Sequence, residues 1–198
     1  MDVIWNQLRE LAASEDGYLR TSQVEAAGIS RPVLKKYVDS NQLERVRKGL
    51  YILADDMPDE FALLQVQCSK AVYSYGTALF LWGMSDRTPH IVDITVPHGM
   101  NLTRLRRDNP DLRCHYVRKD LYELGIVETE SPQGSMVRSY DRERCICDMI
   151  RAKEHMEMQT FTQALREYFR NQPNIRKLLK YGKQFGIEGK IRTYMEVL

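Results

Sequence analysis

Residues 17–53 read GYLRTSQVEAAGISRPVLKKYVDSNQLERVRKGLYIL, and this stretch decides the fold of the first part of the chain. Apolar side chains recur at helical spacing on both sides of Gly28, and glycine can take the positive φ that a helix C-terminus needs. Two short apolar segments then flank Lys48 and Gly49, which predicts a β-hairpin with a two-residue turn. An amphipathic helix predicted over residues 2–13 completes the order of elements in a winged helix-turn-helix.

The positive charge of this chain is local. Residues 1–55 hold eight basic and eight acidic side chains, yet the segment from Ser30 to Lys48 holds six basic against two acidic. Such local clusters, more than the net charge of +2, decide where a polyanion binds. A helix-turn-helix beside a basic hairpin fits duplex DNA, so we expect this segment to bind double-stranded DNA. The alternative is an ordinary surface helix with a solvated polar face.

The predicted DNA contacts come from three places. We expect the helix after Gly28 to approach the major groove and the hairpin to hold the backbone or the minor groove. The start of the preceding helix, capped by Thr21 or Ser22, is expected to contact phosphate. The predicted DNA-binding residues are Thr21, Ser22, Ser30, Arg31, Lys35, Lys36, Arg45, Arg47 and Lys48.

A second basic segment lies near the end of the chain. Between Arg170 and Arg192 there are seven basic residues against one acidic residue. Part of this cluster recurs at helical spacing and predicts a possible second basic face. Its members are Arg176, Lys177, Lys180 and Lys183. Three interpretations stay open for this face: a solvated helix surface, a second contact with nucleic acid, or a docking face for an acidic partner.

The remaining sequence predicts a mixed second domain. Residues 54–59 have the composition of a linker. Strands are predicted at 91–96, 113–118, 125–129 and 136–140, and helices from residue 141 to the end. The predicted fold class is therefore α+β: a winged helix-turn-helix over residues 1–55, then a small mixed β-sheet with a C-terminal helical bundle over residues 56–198.

Several function classes lack their signatures in this sequence. It contains no P-loop, no dinucleotide-binding glycine fingerprint and no G-x-S-x-G elbow, so we expect neither an enzyme nor a cofactor. The four cysteines fit reduced thiols, and no cysteine or histidine has the spacing of metal ligands. Because neither a transmembrane run nor a signal-peptide pattern is present, we expect a cytoplasmic protein.

A series of motifs along nearly the whole chain resembles a known family. They are RVRKGLY (45–51), YGTAL (75–79), LWGMSDRTP (81–89), ITVPHG (94–99), DLYELGI (120–126) and YDRERCICDMIR (140–151). In this order they resemble the AbiEi-type antitoxins of bacterial abortive-infection systems, which are type IV toxin–antitoxin systems. The hairpin motif alone is not specific, whereas the later motifs are more so.

The resemblance implies a function with two parts. An AbiEi-type antitoxin represses its own operon by binding inverted repeats in the promoter. It also neutralises a cognate nucleotidyltransferase-like toxin, without a required stable complex, in the setting of phage defence by abortive infection. Two alternatives stay open: an enzyme that modifies the toxin or a nucleotide, and a protein-binding module without DNA affinity. The oligomeric state, as a dimer or as cooperative monomers, is also open.

Overall fold

The computed structural model describes residues 2–15 and 17–197, and the chain divides into two compact units. They are Met1–Val66 and Gln67–Leu198. The fold is mixed, with a helix-turn-helix and hairpin in the first unit and a β-sheet with helices in the second, as predicted. Each unit has its own buried apolar cluster.

The first unit begins with the elements of a winged helix. Their order is α1 (Val3–Ala13), β1 (Leu19–Arg20), α2 (Thr21–Ala26), α3 (Arg31–Asp39), β2 (Leu43–Arg47), β3 (Leu50–Leu53) and α4 (Glu60–Gln67), whose last residue lies past the division. The three strands form one sheet in the order β1-β3-β2, with antiparallel neighbours. The core collects the apolar stripes of the three helices, including Leu8, Val24 and Leu34.

Local chemistry explains where these elements begin and turn. Asp2 caps α1, because its carboxylate accepts from the N–H groups of Ile4 and Trp5 at 3.1 and 3.4 Å. The α2 cap is Arg20 rather than the predicted Thr21 or Ser22, and the Gln23 side chain accepts from the Arg20 N–H at 3.2 Å. Helix α2 begins early because β1 runs directly into it.

The hairpin turn depends on Gly49. Its φ is +78°, a conformation that a residue with a Cβ adopts only at a cost. The Gly49 carbonyl also accepts from the N–H of Thr21 at 3.0 Å, which ties the turn to the start of α2. In addition, the pairing of β2 with β3 is irregular between Glu44 and Arg47, as at a β-bulge.

The boundary between the units lies later than the sequence predicted. Instead of a break after Asp55, the first unit continues to Val66. The hydroxyl of Tyr18 donates to the Asp59 carbonyl at 2.8 Å, and Arg20 Nη2 donates to the Val66 carbonyl at 2.9 Å. These contacts reach back to β1, so most of α4 belongs with the winged helix.

The second unit is a five-stranded sheet with helices. Its elements are β4 (Val72–Tyr73), α5 (Tyr75–Leu81), β5 (Val92–Pro97), α6 (Thr103–Asp108), β6 (Leu112–Val117), α7 (Lys119–Tyr122), β7 (Ile126–Glu130), β8 (Met136–Tyr140), α8 (Arg142–Arg151), α9 (Met158–Arg170), α10 (Ile175–Gln184) and α11 (Glu188–Val197). A short 3₁₀ helix, Lys153–His155, lies between α8 and α9. The strand order is β6-β5-β4-β8-β7.

The central strand of this sheet is its shortest. In β4 both residues, Val72 and Tyr73, are fully buried, and the strand pairs antiparallel with β5 and parallel with β8. The sequence did not predict this strand, since two residues carry no measurable alternation. It also did not predict the one-turn helix α7.

Helix α8 lies at the centre of the second unit, and eight of its ten residues are buried. Among them is Arg144, whose side chain is 1% exposed. Its guanidinium pairs with Asp148 (Nε to Oδ2, 2.8 Å) and lies 4.0 Å from the Tyr140 ring centroid. Nη1 donates to the carbonyls of Leu121 and Leu124 at 2.5 and 3.0 Å. Arg144 thus connects α8 to α7 and the loop after it.

Candidate nucleic-acid interface

Helix α3 presents the basic face that the sequence predicted. Leu34 and Tyr37 are buried, while Arg31, Lys35 and Lys36 are exposed. Tyr37 fixes the helix against α1, because its ring stacks on Trp5 at 5.6 Å between centroids. The hydroxyl of Tyr37 also donates to an Asp2 oxygen at 2.5 Å. The exposed side of α3 is therefore held in one orientation.

The three cations of α3 differ in their surroundings. Arg31 forms a bidentate pair with Glu25 of α2, with Nε and Nη2 at 2.7 and 3.2 Å from the two carboxylate oxygens. Hydrogen bonding to Glu25 and its negative charge raise the pKa of Arg31. Lys35 and Lys36 have no ion pair with any carboxylate that the structure describes. Two of the three charges on this face are thus unneutralised.

The hairpin carries a second group of unneutralised cations, namely Arg45, Arg47 and Lys48, which are all exposed. Within residues 2–15 and 17–66, no ion pair joins any of them to a carboxylate. The two arginines donate only to nearby backbone: Arg45 Nε to the Arg47 carbonyl and Arg47 Nη1 to the Val46 carbonyl, each at 3.3 Å. We call Arg45, Arg47 and Lys48 the wing cations.

The three hydroxyl-bearing residues predicted to bind DNA differ in their exposure to solvent. Ser22 and Ser30 are exposed at the first turn of α2 and at the cap of α3, although the Ser30 side chain does not cap the helix. Thr21 is half-buried and lies beside the hairpin turn, where its Oγ1 would be 3.4 Å from a Cβ built on Gly49. Its hydroxyl is therefore less accessible than the other two.

The second basic face is smaller than predicted. Arg176, Lys180 and Lys183 are exposed on α10 and separated by four and three residues, so they share one side of the helix. Lys177 turns inward instead, and its Nζ lies 2.9 Å from Asp141 and 3.4 Å from Glu143. Because these two carboxylates are buried, they need a nearby positive charge, and Lys177 supplies it.

Acidic residues that the sequence analysis assigned to no site prove to be structural. Asp141 caps α8, accepting from the Arg144 N–H at 2.8 Å, and also accepts from the Tyr181 hydroxyl at 3.0 Å. Glu143 accepts from the Tyr168 hydroxyl at 3.2 Å. The motif YDRERCICDMIR therefore fastens α8 to α9 and α10. No spacing rule reveals these contacts, since Asp141 and Glu143 bond to tyrosines that are distant in the sequence.

The described residues contain no group of three or more cysteine, histidine or acidic side chains that could hold a metal ion. Cys68, Cys114, Cys145 and Cys147 are all free thiols. None of the helices described is long and apolar enough to span a bilayer.

The winged helix of the first unit is similar to a known protein family. Residues 6–54 match a family described as "Transcriptional regulator, AbiEi antitoxin". In these residues the first unit resembles the transcriptional regulators of that family. This match runs from within α1 to the end of the hairpin, so it contains all the DNA-binding residues predicted in the first unit. The match relates the winged helix to antitoxin transcriptional regulators.

Similarity beyond this domain is structural. The RV2827C protein from Mycobacterium tuberculosis shares 12% sequence identity with this chain, at a TM-score of 0.60. The alignment covers 90% of this chain and 71% of the mycobacterial one, so the likeness in fold includes the second unit. Among curated proteins, none matches the sequence.

Proposed function

We propose that this AbiEi-type regulator binds inverted repeats in its own promoter and represses its own operon. The observation that carries the proposal is the set of exposed, unneutralised cations on α3 and the wing. Because DNA binding is driven largely by release of counterions from phosphates, cations without internal partners contribute most to it. Lys35, Lys36 and the wing cations meet this condition.

In the proposed complex, α3 enters the major groove with Lys35 and Lys36 facing the DNA. The wing cations contact phosphates or the adjacent minor groove. Ser22 and Ser30 add hydrogen bonds to phosphate from the helix starts. Arg31 contributes less than Lys35, since Glu25 already holds its guanidinium.

A mobility-shift titration on the upstream DNA tests this proposal. Replacing Arg45, Arg47 and Lys48 together by alanine should abolish binding at moderate salt while leaving the circular dichroism spectrum unchanged. The matched control is Arg9→Ala, which removes an exposed cation of α1 outside the proposed interface. Unaltered affinity of the triple variant would refute the wing assignment.

We further propose that the protein neutralises a nucleotidyltransferase-like toxin, with phage abortive infection as the biological setting. The support is the AbiEi match of residues 6–54 together with the motif series that continues to residue 151. The proposal assigns the antitoxin role to the second unit, in the cytoplasm, without a catalytic step and without a required stable complex with the toxin.

Co-expression with the neighbouring toxin gene tests the antitoxin proposal. A fragment of residues 67–198 should restore growth, and its boundary follows the division of the chain after Val66. A cut at residue 56 is less suitable, because it separates Asp59 and Val66 from their partners Tyr18 and Arg20. If the folded 67–198 fragment fails while the full chain rescues, the role does not lie in the second unit alone.

The exposed cations of α10 form a second proposed DNA contact. Arg176, Lys180 and Lys183 share one face of the helix, and among described residues none has a salt-bridge partner. Reversing these three charges should weaken operator binding and reduce its salt dependence. Operator affinity and salt dependence equal to those of the unmodified protein would remove this contact from the proposal.

A further inference from the structure

The second unit contains a cavity of about 580 Å³ beside the β5–β6 edge of its sheet. Asp93 of β5 lies beneath it with 1% exposure. Arg113 of the neighbouring strand β6 forms a bidentate pair with this carboxylate, with Nε and Nη2 at 2.6 and 2.8 Å. His115 Nε2 lies 2.7 Å from the same carboxylate. Arg113 and His115 both line the cavity, so one buried acid orients two basic side chains toward it.

A second arginine on the cavity wall is oriented in the same manner. Arg151, at the end of α8, places Nη1 3.1 Å from an oxygen of Asp148, which is 1% exposed. Its guanidinium also lies 4.7 Å from the centroid of the Phe185 ring. Arg113 Nη1 and Arg151 Nη2 have no hydrogen-bond partner among the residues described. Each of these nitrogens is a hydrogen-bond donor that is held in a fixed position and can still bind an acceptor.

Tyr75 completes the wall next to these bases. Its φ is +45°, which is unusual for a bulky residue and is common where a site imposes its geometry. The Tyr75 ring packs on the His115 ring with centroids 4.0 Å apart. Burial raises the pKa of Tyr75 to about 12, so the hydroxyl is a hydrogen-bond donor at neutral pH.

The acidic residues near the cavity are already paired, so its basic groups can still bind an anion. Asp93 and Asp148 are buried and paired, and Asp148 has a further partner in Arg144. Among the described residues, the one carboxylate in the lining is Glu157, which is held by Arg87 at 2.7 Å. His155, also in the lining, is exposed and has no side-chain partner among described residues. The donors therefore converge on a space without a competing free carboxylate.

We propose that this cavity binds the phosphate group of a small phosphorylated molecule the size of a mononucleotide. A guanidinium matches phosphate with parallel hydrogen bonds, and two arginines locked by buried carboxylates need little reorganisation to do so. The volume lies within the range of small-molecule sites, which is roughly 300–1,000 Å³. The Tyr75 and His115 rings, which are tilted by 30° to each other, offer an aromatic face on which a planar base can pack.

Calorimetric titration of the full chain tests the proposal, with adenosine and guanosine 5′-monophosphates, inorganic phosphate and the unphosphorylated nucleosides as probes. We expect saturable binding of a monophosphate, competition by inorganic phosphate, and at least tenfold weaker binding of the nucleosides. Arg151→Gln should weaken monophosphate binding about tenfold, because it removes charge-assisted hydrogen bonds while Arg144 still pairs with Asp148. His155→Ala, an exposed position, should weaken binding without loss of stability.

Two controls separate this cavity from the basic surfaces of the molecule. Arg166→Gln removes an exposed arginine of α9 and should leave binding unchanged. The triple alanine variant of the wing cations should also bind the monophosphate normally, so failure of the DNA proposal is a separate result. The proposal is overturned by no saturable binding of either monophosphate, by equal binding of nucleoside and monophosphate, or by unchanged binding to Arg151→Gln.

Discussion

The pairing of Arg31 with Glu25 makes a sharp test of the proposed DNA interface. Glu25→Gln removes one negative charge and leaves the shape of the side chain almost unchanged. In the native protein the two Glu25 oxygens lie 2.7 and 3.2 Å from Nε and Nη2 of Arg31. Without the carboxylate, the Arg31 guanidinium becomes a third free cation on α3 and gains access to a phosphate.

The size of the effect follows from counterion release. One additional phosphate contact steepens the slope of log affinity against log salt by about 0.9. Between 50 and 200 mM salt, the Glu25→Gln variant should therefore lose about threefold more affinity than the native protein. Its affinity at 50 mM salt should be higher than native. Fluorescence anisotropy with a labelled operator duplex at four or more salt concentrations measures both quantities.

Two further variants decide whether the cause is Arg31. Arg31→Gln in the Glu25→Gln background should return the slope to its native value. Glu10→Gln, which removes an exposed carboxylate of α1, should change the slope little. A native slope for Glu25→Gln, or an equal rise for Glu10→Gln, would show that the ion pair does not limit the Arg31 contact.

Three other predictions concern stability. Arg144→Leu should reduce the free energy of unfolding of the second unit by about 3–5 kcal/mol in urea titrations, because it leaves buried Asp148 without its closest partner. Lys177→Met should cost about 1–2 kcal/mol in the same assay, a smaller loss since the lysine is partly exposed. The Tyr37 hydrogen bond lowers the pKa of Asp2 below 3.8, so its stabilisation is present above that value and lost as the pH falls through the lower folded-state pKa. Asp2→Asn should therefore flatten the acid branch of a stability–pH profile measured by thermal melting, and an unchanged acid branch would contradict the assignment.

The winged helix was predictable because its determinants are local. The stripe of Leu34 and Tyr37, the turn at Gly49 and the short wing strands all depend on residues within a few positions of each other. The same holds for the exposure of the basic residues, which follows from helical periodicity. The ion pairs of these basic residues could not be predicted in the same way. The contact of Arg31 with Glu25 depends on the angle at which α2 and α3 cross, and no spacing rule fixes that angle.

The second unit was less predictable because its key contacts are distant in sequence. Asp93 stands opposite Arg113 in the parallel pair β5 and β6, a register that the sequence does not reveal. Strand β4 has two residues and is defined only by its neighbours. One indication is present in the sequence: Asp93 and Thr95 recur on one side of an otherwise apolar strand, and both are buried. Polar side chains at such positions indicate a network or a site.

The position of β4 in the sheet has a consequence for the order in which the chain folds during synthesis. Every strand pair described in the first unit lies between residues 19 and 53, so the winged helix can form while the second unit is still being made. The five-stranded sheet must wait, because Tyr73 of its central strand pairs with Ser139. Since domains fold from the N-terminus as they emerge from the ribosome, a nascent chain carries a folded winged helix before its second half exists.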